Sequence, residues 1–224
     1  MTANRALLFD LDGTLTDNYS GIAASIRYAL TRLDMPIPND ATLRSCVGPP
    51  LRETFATLLA TEDSALIEDA MRLYRERFAA VGLFENEVYE GVPAMLDGLR
   101  RDGGRLFVAT AKPAVFAERI VRHFALDHHF AGVYGPDLDG RLDDKAELLA
   151  HLLATERLDP TRAIMVGDRA GDVAAARKNG LRSIGVLWGY GSRDELLRAG
   201  ADALCASPTS LPQSIAQLSG SSDD

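Results

Sequence analysis

The strongest constraint on the fold is one repeated device. A short, continuous apolar run ends on a polar residue, and a helical stretch follows. Residues 6–9 close on Asp10, 105–109 on Thr110 and 163–167 on Asp168. Runs without polar alternation are buried on both faces, as strands of a parallel sheet are. Residues 183–187, 203–205 and 130–134 extend the set. Helical stretches are expected at 92–101, 114–124, 145–155, 170–179 and 193–199. Strand and helix alternating in this way predict βαβ units and a doubly wound, Rossmann-like α/β sheet.

The stretch from Asn18 to Glu87 breaks the rhythm. Ile22, Ile26, Tyr28, Leu30 and Leu33 suggest one amphipathic helix that ends at Met35-Pro36, and 51–59 and 66–81 suggest two more. With no strand expected here, the stretch reads as a separate helical domain inserted after the first strand. The expected division is a core of 1–16 and 88–218, an inserted cap of 17–87, and a polar, frayed tail of 219–224. A hinge between the two parts can sit only at the chain crossings near 15–18 and 87–90, with Gly91 beside the second.

Charge narrows the function. Lys plus Arg number 24 against 32 Asp plus Glu, a net charge of −8. That balance argues against a nucleic-acid polymer or an anionic membrane as partner. A small phosphate ester, which needs only one local positive site, stays open. Cys46 and Cys205 lack metal-ligand spacing and read as two buried, reduced thiols of a cytoplasmic protein. The run at 6–9 is too short for a signal peptide, and no run of about 18 apolar residues exists to span a membrane. A monomer and a homodimer are both compatible with the sequence.

In open α/β sheets, sites form outside the carboxyl ends of the strands. Asp10 and Asp12 follow the first expected strand, Thr110 ends the second, and Asp168 ends another, with Asp172 one helical turn further. Taken singly, Asp12-Gly13 reads as a turn and Asp168 as a helix cap. Taken together at matching strand ends, four carboxylates would repel one another unless a hard cation neutralised them. Oxygen-only ligands favour magnesium.

With these residues in place, the chain resembles the haloacid dehalogenase-like phosphohydrolases. Asp10-Leu11-Asp12-Gly13-Thr14-Leu15 is similar to the family's opening signature. Thr110, Lys145 and Gly167-Asp168-Arg169-Ala170-Gly171-Asp172 match the remaining three in order and spacing. The inserted helices match the family's small helical cap. The resemblance implies a phosphatase with Mg2+ as cofactor and a small phosphate ester as substrate. It implies that Asp10 attacks phosphorus and becomes an aspartyl-phosphate, and that Asp12 acts as acid and then base. It assigns the metal to the Asp10 side chain, the Asp12 backbone carbonyl and Asp168, with Asp172 a direct ligand or an anchor. Thr110 and Lys145 would hold the phosphoryl oxygens, in a binding segment that continues through Ala111 and Lys112.

Within the superfamily, 15–22, 47–53, Thr110-Ala111-Lys112-Pro113 and Trp188-Gly189-Tyr190-Gly191 resemble the phosphoglycolate-phosphatase group and its 5′-nucleotidase-like branch. Phosphoglycolate phosphatase is the alternative, and a phosphomutase shares the four motifs. The chain has three lysines. Lys178 reads as an exposed charge late in a helix. Lys112 could touch substrate or balance local acidity. Lys145 stands at a helix start, where the helix dipole disfavours a cation, so a functional reason gains weight. In the cap, Arg52 could reach a leaving group or a second phosphate, or it could be a solvated helix charge. Tyr19 could stack on a base or pack between domains.

Overall fold

The computed structural model of the chain describes residues 5–220. In chain order the elements are β1 (Ala6–Phe9), β2 (Thr16–Asp17), α1 (Tyr19–Arg32), α2 (Asp40–Ser45), α3 (Leu51–Leu59), α4 (Ser64–Ala80), β3 (Glu87–Val88), α5 (Val92–Arg101), β4 (Arg105–Ala109), α6 (Ala114–His123), β5 (Gly132–Tyr134), α7 (Lys145–Glu156), β6 (Ala163–Gly167), α8 (Ala170–Lys178), β7 (Arg182–Val186), α9 (Arg193–Ala199), β8 (Ala203–Cys205) and α10 (Leu211–Gly220). The chain divides into two compact units, one built from 1–16 and 88–224 and the other from 17–87.

The first unit holds a six-stranded sheet in the order β5-β4-β1-β6-β7-β8. Every neighbouring pair is parallel. Strand order reverses at β1: the chain builds outward through β4 and β5, then returns to β1's other side with β6. Such a switch point opens a crevice at the strands' carboxyl ends. Register brings Phe9 level with Val108 on one side and with Val166 on the other. The next residues, Asp10, Ala109 and Gly167, therefore stand at one edge. Ala6 and Leu8 of β1 join Phe107 and Met165 in a cluster with α7's Leu149 and Leu152. Leu7 and Phe9, pointing the other way by strand alternation, are also fully buried. Cover on both faces explains why these strands read as unbroken apolar runs.

The second unit is helical. Helix α1 packs on α4, and α4 also packs on α3. Phe55 of α3 meets the Tyr74 ring of α4 edge-on, and Tyr74 stacks on Phe78 one turn later. These contacts form the unit's apolar seam.

Several boundaries differ from the sequence reading. Helix α2 was not anticipated; its six residues bury only Leu43, too little for a periodic signal. The stretch expected to lack strands reaches into a two-stranded ribbon, β2 with β3. Two-residue strands have no periodicity to read. Helix α10 runs through Gly220, so the expected tail begins too early, and 221–224 lie outside the described residues. Cys205 is buried as expected, but Cys46 is only half-buried, because it caps the end of short α2. Both thiols are free.

Leu8→Ala should destabilise the protein by about 2–5 kcal/mol, the range for a fully buried leucine in a packed core. Leu197→Ala, at a side chain 51% exposed, should stay within about 0.5 kcal/mol of wild type. Urea unfolding of the two variants checks the contrast, and equal losses would contradict the core assignment.

Candidate active site

Asp10 leaves β1 with its backbone N–H donating to the Val166 carbonyl, 2.9 Å away. The ladder to β6 thus continues one residue past the strand and fixes the carboxylate at the sheet's edge. Gly13 then turns the chain with φ +85°. A Cβ on Gly13 would fall 2.3 Å from Asp168 Oδ2. Only glycine therefore lets the loop after β1 pass this close to the carboxylate at the end of β6. On the other side, Tyr190 N–H donates to Asp168 Oδ2 at 2.8 Å. The Trp188 indole N–H donates to the Thr14 carbonyl at 3.0 Å, tying the loop after β7 to the loop after β1.

Asp172 lies in the first turn of α8, and its Oδ2 accepts the Arg169 backbone N–H at 3.0 Å. Asp10, Asp168 and Asp172 are all buried, and one oxygen from each lies within 4.8 Å of the others. Lys145 enters this group from the first position of α7. The helix is started by Asp144, whose side chain accepts the Ala146 N–H at 2.7 Å. Lys145 Nζ stands 2.9 Å from Asp10 Oδ1 and also contacts Asp172. An ammonium at a helix start is unfavourable locally, and two buried carboxylates supply the compensation. Burial works against the charge on Lys145, but Asp10 and Asp172 outweigh it and hold its pKa above the ordinary value.

The carboxylates show the opposite stress. Burial, then the charges of Asp10 and Asp172, push Asp168 up to about 7, although the Tyr190 N–H opposes the shift. Asp172 is also raised, chiefly by burial, with Lys145 pulling against it. One ammonium does not neutralise three buried carboxylates. Asp168 Oδ1 is buried with no hydrogen-bond partner, although buried polar atoms are satisfied in the great majority of cases. The triad offers oxygen donors only, so it fits a hard divalent cation. These residues could hold such an ion.

Asp12 pairs with Lys112, Nζ to Oδ2 at 2.7 Å. Both side chains are largely buried. Thr110 follows β4, is buried, and accepts the Lys112 N–H on its Oγ1 at 3.2 Å. Ala111, between them, is exposed. The structure therefore gathers Asp10, Asp168 and Asp172, with Lys145 paired to Asp10 and Asp172, and places Asp12, Lys112 and Thr110 on the same edge. Arg52 belongs to the helical unit, where it is half-exposed and pairs with Glu68. Tyr19 belongs there too; Arg44 lies 4.1 Å over its ring, and its hydroxyl donates to Asp40.

The sequence reading missed Glu195. One of its carboxylate oxygens accepts the Ala170 N–H at 2.8 Å and the Arg169 Nε–H at 3.0 Å, fixing the start of α8 and hence Asp172. The available signal points elsewhere. Ser192 and Glu195 have the spacing of a local capping box, and Ser192 does accept the Glu195 N–H. The carboxylate, however, reaches a neighbouring helix.

Residues 7–186 match the family model described as haloacid dehalogenase-like hydrolase. A protein from Pseudomonas aeruginosa named 5′-nucleotidase is 45% identical over 207 residues, covering 92% of this chain and 93% of that protein. A protein from Mycobacterium tuberculosis named tyrosine-protein kinase PtkA is 41% identical over 188 residues, 84% of this chain but 64% of that protein. The crystal structure of a predicted phosphatase from Clostridium acetobutylicum superposes with a TM-score of 0.90 at 40% identity, covering 96% of this chain and 99% of that one.

The raised pKa of Asp168 has a consequence for stability. Without metal, the folded chain keeps a proton on Asp168 that the unfolded chain releases near pH 4. That contribution is full below pH 4 and is lost as pH rises through about 7. In chelator-treated protein, the wild-type melting temperature should fall more steeply between pH 5 and 8 than that of Asp168→Asn. Magnesium at pH 8 should raise the wild-type value and leave the variant nearly unchanged. Parallel melting curves with and without metal would refute this account of the triad.

Proposed function

The chain belongs to the haloacid dehalogenase-like hydrolases and is a phosphatase, and from that premise we propose that it hydrolyses small phosphomonoesters through an aspartyl-phosphate on Asp10. The observation that carries the reading is the ion-paired Asp10 at the strand-order switch, with Lys145 at 2.9 Å and a second aspartate two residues on. When bound, Mg2+ would be held by Asp10, Asp168, Asp172 and the Asp12 carbonyl, and would neutralise charge on the phosphoryl oxygens.

The remaining work falls to the chain's own groups. The Asp10 carboxylate supplies an electron pair to phosphorus as the bond to the ester oxygen breaks. Lys145 orients Asp10 and offers its charge to the phosphoryl group, and the Thr110 hydroxyl donates a hydrogen bond to it. Asp12 gives a proton to the departing alkoxide, then takes one from the water that opens the acyl-phosphate. Lys112 pairs with Asp12 at 2.7 Å, and an arriving phosphoryl group gives it an alternative partner.

For substrate, we infer a 5′-nucleotide or a similar small ester. The support is the 45% identical relative named 5′-nucleotidase, matched over nearly the full length of both chains. The relative named a tyrosine kinase matches almost as well over this region. Phosphotyrosine therefore belongs in the same substrate panel as nucleoside monophosphates, phosphoglycolate and hexose phosphates. In the helical unit, Arg52 is the residue we assign to the leaving group.

Asp10→Asn should lower turnover by several orders of magnitude and abolish acid-stable labelling of the protein by a radiolabelled substrate. Asp12→Asn should slow turnover while retaining more Mg2+ affinity than Asp168→Asn. Arg52→Ala should reduce kcat/KM about ten- to a hundred-fold on the best substrate. It should act far less on a small aryl phosphate. Near-normal turnover in Asp10→Asn rules out the covalent route, and equal kinetics in Arg52→Ala return that residue to a surface charge.

A further inference from the structure

A second group of metal-ligating side chains lies in the sheet-bearing unit, built from none of the strand-end residues. Asp97 is on α5. His128 and His129 lie in a 3-10 turn, Asp127–His129, that follows α6 and leads towards β5. One ligand atom from each of the three lies within 4.8 Å of the other two.

The turn itself aims the histidines. Its backbone is fixed by the His129 N–H donating to the Leu126 carbonyl at 3.0 Å, and by the Arg100 guanidinium donating to the His128 carbonyl. The two imidazoles lie side by side, with centroids 3.9 Å apart and planes 39° apart. His128 is exposed, whereas His129 is only 4% exposed. The Nδ1 of His129 is buried and has no hydrogen-bond partner. Asp97 Oδ1 is 3.7 Å from it, too far for a hydrogen bond. Donor atoms about 2.0–2.1 Å from a tetrahedral ion stand about 3.3–3.4 Å apart. Closure by a few tenths of an ångström would let both atoms share a cation.

The electrostatics favour the ligating form. Burial, then His128, hold the His129 pKa below the ordinary imidazole value, with Arg100 adding to this and Asp97 and Asp127 opposing it. A neutral imidazole keeps a lone pair for a metal. The opposing carboxylates provide the negative charge a divalent ion needs beside Arg100.

We propose that Asp97, His128 and His129 form a binding site for a divalent transition-metal ion of the zinc or copper type, which clips α5 to the turn before β5. Two imidazole nitrogens and one carboxylate oxygen select such ions over magnesium. The ion would supply the partner that His129 Nδ1 lacks, and water would complete its coordination. Asp97 and His128 are exposed, so the ion has a path in from solvent.

The test uses the full chain in excess Mg2+, with one equivalent of Cu2+ as the probe, read by electron paramagnetic resonance. The expected spectrum shows coupling to two imidazole nitrogens. H128Q should leave one nitrogen and weaken binding at least ten-fold, the lower end expected when a metal site loses a strongly coupled group. D97N should weaken binding similarly while keeping both nitrogens. Both variants change exposed side chains, and unchanged Mg2+-supported phosphatase activity will show that they fold. The chain's other histidines, His123 and His151, are controlled by H123Q/H151Q, which should retain both couplings. Oxygen-only coordination, a single nitrogen in wild type, or a spectrum and affinity unchanged in H128Q would overturn the proposal.

Discussion

Mutual repulsion among Asp10, Asp168 and Asp172 governs the arrangement around the strand ends. Each carboxylate is buried, and together they outnumber the one ammonium, Lys145, that contacts Asp10 and Asp172. Much of the surrounding structure can be read as a means of holding them in place. The parallel register of β1 with β6 fixes two of them. The Arg169 N–H holds the third, and Glu195 holds the turn that presents it. Gly13 removes the side chain that would otherwise separate β1's loop from Asp168. Such rigidity favours strong cation binding, because ligands already ordered lose little freedom when the ion arrives.

The sheet and the carboxylate positions were legible in the sequence because both depend on short-range rules. Both-face burial leaves unbroken apolar runs, and a residue that ends such a run stands at the sheet's edge. Lys145 was legible through the family resemblance, and its locally unfavourable place at a helix start added weight to that reading. Glu195 escaped because its spacing to Ser192 satisfies a local pattern while its carboxylate serves a distant helix. Lys112 was open to two readings, substrate contact or balance of local acidity, since separation along the chain does not reveal its 2.7 Å contact with Asp12. Helix α2 and the β2–β3 ribbon escaped because neither is long enough for its period to repeat.

The two carboxylate-bearing groups of the sheet-bearing unit differ in chemical character. At the strand ends the donors are all oxygen, and a lysine shares the space. At Asp97 the carboxylate sits beside two imidazoles, one of them shielded from water. Hard and borderline ions are distinguished by donor type more than by charge. The two donor sets therefore suit ions of different type.

The position of β1 also bears on how the chain is made. It precedes the other strands of its sheet along the chain and is one of the sheet's central strands, yet its partners are residues 105–109 and 163–167. Until those are synthesised, four consecutive apolar residues have no ladder to join. The helical unit, contiguous at 17–87, needs no such wait and can collapse on the seam of α3 and α4 while β1 is still unpaired. Non-local pairing is slow and leaves strand edges exposed to other chains. The residues that later hold Asp10 at the sheet's edge are thus the ones most in need of protection during translation.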